Sequence, residues 1–359
     1  MELNTKNVFE LLDLAAETQG RVTGGGVLPF LVSDPGLGKS QIVQQWCDQP
    51  SETSKSGKRA LLVKVILSRT PAADVSSIPV PDVKSGKIIW YDTGKFIGNV
   101  EGAEDYDYVV VFYDELPNAP TDVQVAIQDL IESREANGTF VAPNVVFCAA
   151  GNPPESGCGA NQLVQALSSR LCHVRCEFSL ESWTAYASDV GINPWIIAYH
   201  TFKKGESMTN FDPKVVGPQA DPRSWEKLSQ AIECNPSPYI RQVVGEGIVG
   251  LYEYTAFVAF ERMTDVVHVE EIIANPSACH IPYDAGTQFA VAANITTYIG
   301  GRKAELTIEE SNAIIEYLDR VSEVNEVVSN LCVRNSADRN PQFTQCEQYS
   351  RYNANHAGL

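Results

Sequence analysis

The sequence has no C-x-x-C pair, no H-E-x-x-H, no G-x-S-x-G and no internal repeat, and its five histidines are dispersed. Those absences remove the common zinc-peptidase and serine-hydrolase signatures and the solenoid architectures. No apolar run approaches the ~18 uninterrupted residues of a membrane-spanning helix. Basic residues are scarce: 27 Lys and Arg stand against 45 Asp and Glu, for a formal net charge of -18 and a pI near 4.7. A surface that acidic repels a phosphate backbone, so indiscriminate coating of nucleic acid is not expected, and a basic strip inside an acidic assembly is the form in which such binding would survive.

The nine cysteines are odd in number, scattered, and several lie inside apolar runs such as VVFCAA. Buried thiols in a reducing compartment fit that distribution. Cys172 and Cys176 flank His173, but CHVRCEF alternates like a strand and no second ligand cluster accompanies it, so no metal is assigned there. Cys158, in ESGCGAN, lacks a base partner in sequence and reads as part of a loop. The first twenty residues carry no basic stretch followed by an apolar core. Their apolar spacing, Val8, Leu11, Leu12, Leu14 and Ala15, reads as an amphipathic helix, and the expectation is a cytoplasmic protein without a membrane segment.

What is present is the composition of a globular chain long enough, at 359 residues, for two domains. Apolar, β-branched runs recur at 27–32, 60–67, 108–115, 144–152 and 172–178, most of them with Gly, Pro or Asp at or soon after their ends. Runs that are apolar without alternation suit strands buried on both faces. Helical patterns separate them: SQIVQQWCDQ, PTDVQVAIQDLIESRE at 120–135 and NQLVQALSSRL at 161–171. Strands alternating with helices predict an α/β fold on a parallel sheet of five strands with flanking helices. From about 180 the texture is helical, with a long polar stretch at 203–222 read as a surface loop. The expected organisation is an α/β core at 1–180, a helical region at 181–335 and a loosely ordered tail at 336–359.

One short stretch carries chemistry. SDPGLGKS, Ser33 to Ser40, lies between the strand VLPFLV and the helix SQIVQQW, the context in which a Gly-rich turn presents backbone N–H groups and a helix N-terminus to phosphate. Asp34, Pro35, Gly36, Leu37, Gly38, Lys39, Ser40 and Gln41 are the candidate nucleotide-binding residues. Lys39 is placed to reach the β and γ phosphates and Ser40 to ligate Mg²⁺. Ser33 stands where such loops usually carry glycine. The alternative is a tight strand–helix turn with an exposed lysine. Against it, the strand YVVVFYDE ends in Asp114 and Glu115, a metal-holding acid and a base for the attacking water. The strand VVFCAAGN ends in Asn152, a polar group for the same carboxyl edge of the sheet.

The segments SDPGLGKS, TPAADVSSIPVPD, VVVFYDELPNAPTDVQVAIQDLIESRE, VVFCAAGNPPESG and ALSSRL, with the later PWIIAYH and DPRSWEKLS, resemble the MoxR family of AAA+ ATPases over roughly residues 28–230. The resemblance implies a P-loop NTPase core, a small helical lid, and a homo-oligomeric ring, usually a hexamer, with ATP and Mg²⁺ held between subunits. It makes Lys39 and Ser40 the Walker A groups, Asp114 and Glu115 the Walker B metal and catalytic acids, and Asn152 sensor 1. Arg170 becomes the arginine finger and Arg223 sensor 2. Leu171 stands where the family usually has an aromatic, and Arg134 and Arg175 compete with Arg170. A C-terminal helix charge is the plain alternative for Arg170, and a surface residue at a helix start for Arg223.

Two insertions are expected as hairpins, at 78–96 and 134–143, where the family carries pore-facing loops. Lys84, Lys87 and Lys95, with Trp90 and Tyr91, could contact a partner there, or form a solvated edge. The resemblance also implies a protein partner, such as one carrying a von Willebrand A domain, that ATP hydrolysis remodels. A nucleic-acid motor and a nucleotide-gated scaffold with little turnover are the alternatives. The acidic balance and the lack of a DNA-binding signature weigh against the first.

Overall fold

The computed structural model describes residues 5–20, 26–75, 78–91, 94–136, 139–156, 163–208, 211–212, 214–263, 267–302 and 305–356. Cys158 and the expected helix start at 161–162 lie outside them. The chain divides into two compact units, Met1–Ser179 with Asp212–Val215, and Leu180–Phe211 with Val216–Leu359.

In the first unit, helix α1 (Thr5–Gln19) precedes strand β1 (Pro29–Val32), helix α2 (Lys39–Cys47) and strand β2 (Ala60–Ile66). A short helix α3 (Ala72–Val75) leads to the antiparallel hairpin β3 (Ile78–Asp82) and β4 (Lys87–Tyr91). Strand β5 (Tyr108–Asp114), helix α4 (Thr121–Ser133), the two-residue ribbon β6 (Glu135–Ala136) with β7 (Thr139–Phe140), and strand β8 (Val145–Gly151) follow. Helix α5 (Gln165–Ser168) and strand β9 (Cys172–Arg175) complete the unit. Both expected hairpins are present, although Asn137 and Gly138 at the tip of the second lie outside the described residues. The expected helix at 161–171 is a single turn.

The main sheet is wholly parallel, in the order β2-β5-β8-β1-β9. Taken with the helices on its faces and the helical region that follows, it is the α/β architecture expected from the sequence and fits that of a P-loop ATPase. Both faces of the sheet are covered, which explains the unbroken apolar runs. Alternation along β5 sends Val109, Val111 and Tyr113 to one face, where they pack with Val63, Val65, Phe147, Val123 and Ile127. Val110 and Phe112 go to the other, against Leu12 of α1, Ile42, Val43 and Trp46 of α2, and Val146. Cys47, Cys148 and Cys176 belong to this second layer, and burial raises all three thiols, Cys47 to about 12 and Cys176 to about 11.

Helix α1 is fixed by its last residue. The Gln19 carboxamide donates to the carbonyls of Phe147 at 2.8 Å and Val27 at 2.7 Å, and accepts from the Phe147 N–H at 2.7 Å. It supplies β8 with the bonds a neighbouring strand would make.

The second unit is helical. Helices α6 (Leu180–Asp189), α7 (Pro194–Phe202), α8 (Pro222–Glu233), α9 (Pro238–Val249), α10 (Leu251–Glu261), α11 (Val269–Ala274), α12 (Ala285–Arg302), α13 (Ile308–Ser322) and α14 (Glu326–Arg339) are followed by α15 (Glu347–His356). Their starts are written in the sequence. Asn193 caps α7 with proline next to it, and Asp221 with Ser224, like Thr307 with Glu310, forms a reciprocal capping box. The 203–222 stretch is less loop-like than expected, since it contains a 3₁₀ turn at Glu206–Met208. The expected loose tail is a correction. Tyr352 of α15 is buried, donates to Asn330 at 2.7 Å and lies 2.7 Å from the Ser329 hydroxyl, so the polar composition of this stretch disguises an anchored helix. Among the described residues no helix is long and apolar enough to cross a membrane.

Candidate nucleotide site

Three parallel strands end at one place. Register sets Val32 of β1 beside Gly151 of β8, and Tyr113 of β5 beside Ala149. The turn after Val32, the acids after Tyr113 and Asn152 after Gly151 therefore share the carboxyl edge of the sheet. Strand β1 is the switch point there, because β2 and β9 lie on opposite sides of it.

The turn itself needs two glycines. Gly36 and Gly38 have φ of 79° and 82°, in the left-handed region, and Gly38 is the cap from which α2 departs. Ser33 is not among the residues with positive φ, so a side chain is tolerated at that first position. It is buried, and its hydroxyl donates to the Asp34 carbonyl at 3.1 Å. The Lys39 ammonium donates to the Ser33 carbonyl at 2.8 Å, the Ser33 hydroxyl at 3.0 Å, the Asp34 carbonyl at 3.1 Å and Asn152 Oδ1 at 3.0 Å. A cation thus lies inside the turn, tied to the end of β8. Pro35 and Leu37 lie within the turn, and Gln41 is exposed as the third residue of α2.

The metal-type residues meet as well. Ser40 Oγ donates to Asp114 Oδ2 at 3.2 Å. A hydroxyl and a carboxylate form a hard-oxygen donor pair of the kind Mg²⁺ takes. They already attract a cation: the Lys64 ammonium of β2 lies 2.7 Å from Asp114 Oδ2 and 3.1 Å from Ser40 Oγ. The phosphate cradle and the metal pair both therefore fit the groups expected for them. Glu115 adopts a left-handed backbone, φ 59° and ψ 33°, and its carboxylate accepts from the Ser68 hydroxyl.

The last strand residue of β8 explains how close these pieces lie. A Cβ on Gly151 would fall 2.3 Å from Pro117, so only glycine lets the segment after Glu115 pack over the end of β8.

The arginines divide. Arg134 is buried, its guanidinium donating to the carbonyls of Ala142 and Val145 at 3.0 Å, and burial lowers its basicity. It fastens the ribbon and does not reach outward, which removes it as a finger candidate. Arg170 is exposed, pairs with Glu132 at 2.7 Å and donates to the Ala166 carbonyl at 2.5 Å, as a charge at a helix end does. Arg175, on β9, is exposed. Arg223 is exposed in the first turn of α8, in the second unit. Leu171 is buried in the sheet core.

Sequence reasoning passed over Lys64 and Ser68. Lys64 left a signal, as the single charge inside the apolar run ALLVKVIL. Ser68 left none.

No protein-family model matches the chain, and no curated protein matches it. A crystal structure named "putative ATPase" from Cytophaga hutchinsonii aligns over 93% of this chain and 87% of its own, with a TM-score of 0.32 and 12% identity. At that TM-score the functional reading rests on the geometry above.

Proposed function

We propose that this chain is a Mg²⁺-dependent ATPase of the MoxR-type AAA+ class, acting as a homo-oligomeric ring on a protein partner. The observation that carries the ATPase reading is the convergence of Lys39 on Asn152 at 3.0 Å and of Ser40 on Asp114 at 3.2 Å, from three separate pieces of chain. A chance strand–helix turn has no reason to gather these groups.

In this reading the backbone N–H groups of residues 36–40, at the α2 N-terminus, hold the phosphates. Lys39 exchanges its carbonyl partners for phosphate oxygens. Ser40 and Asp114 would hold Mg²⁺, which when bound neutralises charge on the β and γ phosphates. Glu115 takes the proton of the attacking water on its carboxylate, which the Ser68 hydroxyl on Oε2 helps to position, and Asn152 orients that water. Arg170, on the exposed surface, is the candidate to serve a neighbouring subunit after releasing Glu132, and Arg223 is the candidate sensor of the helical unit. The von Willebrand A partner class and the hexamer follow from the motif resemblance.

ATP binding and turnover test the site. Lys39→Ala should weaken nucleotide binding at least about tenfold, since one charge-assisted contact is worth ~1.5–3 kcal/mol. Glu115→Gln should bind ATP normally and turn it over at least about 100-fold more slowly. Hydrolysis indifferent to Glu115→Gln would refute the base assignment, and a mass that stays that of a monomer in the presence of ATP, by light scattering, would refute the ring.

A further inference from the structure

Lys64 is the one charged residue of β2, whose other members are Ala, Leu, Val and Ile. Alternation sends its neighbours Val63 and Val65 into the layer packed by α4, and sends Lys64 to the opposite face, which α2 covers. Helix α2 opens with Lys39 and Ser40. The lysine arm therefore runs toward the start of α2, and its ammonium closes a triangle: 2.7 Å to Asp114 Oδ2, 3.1 Å to Ser40 Oγ, and 3.2 Å between those two oxygens.

A lysine on an edge strand commonly just discourages pairing with another chain, a task for which a fully solvated ammonium suffices. This one is turned instead onto a carboxylate whose side chain is only 18% exposed.

We propose that Lys64 is a resident cation at the metal position. It holds Ser40 and Asp114 together in the nucleotide-free protein, competes with Mg²⁺ for them, and so sets the Mg²⁺ concentration that nucleotide binding requires. The inference rests on the nucleotide-site reading above. An ammonium satisfies the two oxygens without fixed coordination geometry, whereas Mg²⁺ demands near-octahedral ligands at short range. Two cations on one carboxylate oxygen repel each other, so the entry of one requires the other to leave. Lys64 is able to leave, because its side chain is 42% exposed and its stem flexible.

The test is a Mg²⁺ titration of fluorescent ATP-analogue binding, beside a Mn²⁺ titration of the nucleotide-free protein followed by electron paramagnetic resonance. In Lys64→Met, and in Lys64→Gln as a second neutral variant, the Mg²⁺ midpoint should fall about tenfold or more and Mn²⁺ should bind more tightly by a similar factor, while Lys64→Arg stays near wild type. Midpoints unchanged in both neutral variants, with nucleotide still bound, would overturn the competition and leave the nucleotide site standing. Wild-type protein that binds no nucleotide at any Mg²⁺ concentration would overturn the site reading and this inference with it.

Discussion

Two residues at the candidate site show how backbone conformation decides what a position tolerates. Ser33 replaces the usual first glycine of the turn, yet the left-handed φ values fall at Gly36 and Gly38, so the serine adds a hydroxyl to the Lys39 shell without strain. Glu115 is the opposite case. It holds φ 59° with a full side chain, a conformation that costs a non-glycine residue ~1–2 kcal/mol. That strain positions the carboxylate against Ser68 at the end of the sheet. Glu115→Gly should therefore raise Tm by about 2–4 °C while turnover is lost. A Tm that falls in differential scanning calorimetry would show that the Ser68 contact outweighs the strain.

At the scale of elements, the meeting of β5 and β8 depends on one missing methyl group. Gly151→Ala places a carbon against the Pro117 ring, which is buried and cannot swing aside. The expected result is a loss of about 1–3 kcal/mol in chemical denaturation, together with weaker nucleotide binding as the Asp114–Glu115 segment lifts from Asn152. Stability lost with binding intact would separate the packing from the site. The strands were legible because burial on both faces leaves an unbroken apolar run, whereas the second unit was legible only as helical texture, its helix starts being set by caps such as Asn193, Asp221 and Thr307. Lys39, Asp114, Glu115 and Asn152 were legible because each follows such a run. Lys64 and Ser68 were not, because whether a side chain points into a site depends on register and on the helix that covers that face. Helix α15 was missed because its anchor is a single buried tyrosine among polar residues, and Arg134 because a buried arginine and an exposed one look alike in sequence.

At the scale of the molecule, each unit carries its own core, and the second is built around a histidine. His200 of α7 is fully buried among Tyr199, Trp183 and Trp225, the last with ring centroids 4.4 Å away. Its Nδ1 lies 3.0 Å from the Ser207 hydroxyl, and its Nε2 has no hydrogen-bond partner among the described residues. Desolvation holds its pKa well below 6.5. In the pH range below 6.5 the unfolded chain therefore binds a proton that the folded one refuses, and stability falls as pH falls. The slope is about 1.4 kcal/mol per pH unit, continuing until the folded-state pKa is reached. Denaturation of wild type and His200→Phe between pH 7 and 5 should show a steeper loss in wild type. Equal slopes would mean that the imidazole is protonated inside the fold.

The carboxamide at the end of α1 has a further consequence for the growing chain. Gln19 and Phe147 are separated by 128 positions, so during synthesis α1 can meet Val27 and α2 early but cannot make its bonds to β8 until those 128 residues have followed it. At ~5–20 residues per second that is a wait of roughly 6–26 s. During that interval the Gln19 carboxamide lacks the Phe147 half of its partners, so α1 is held by those early contacts and closes onto the sheet when β8 arrives.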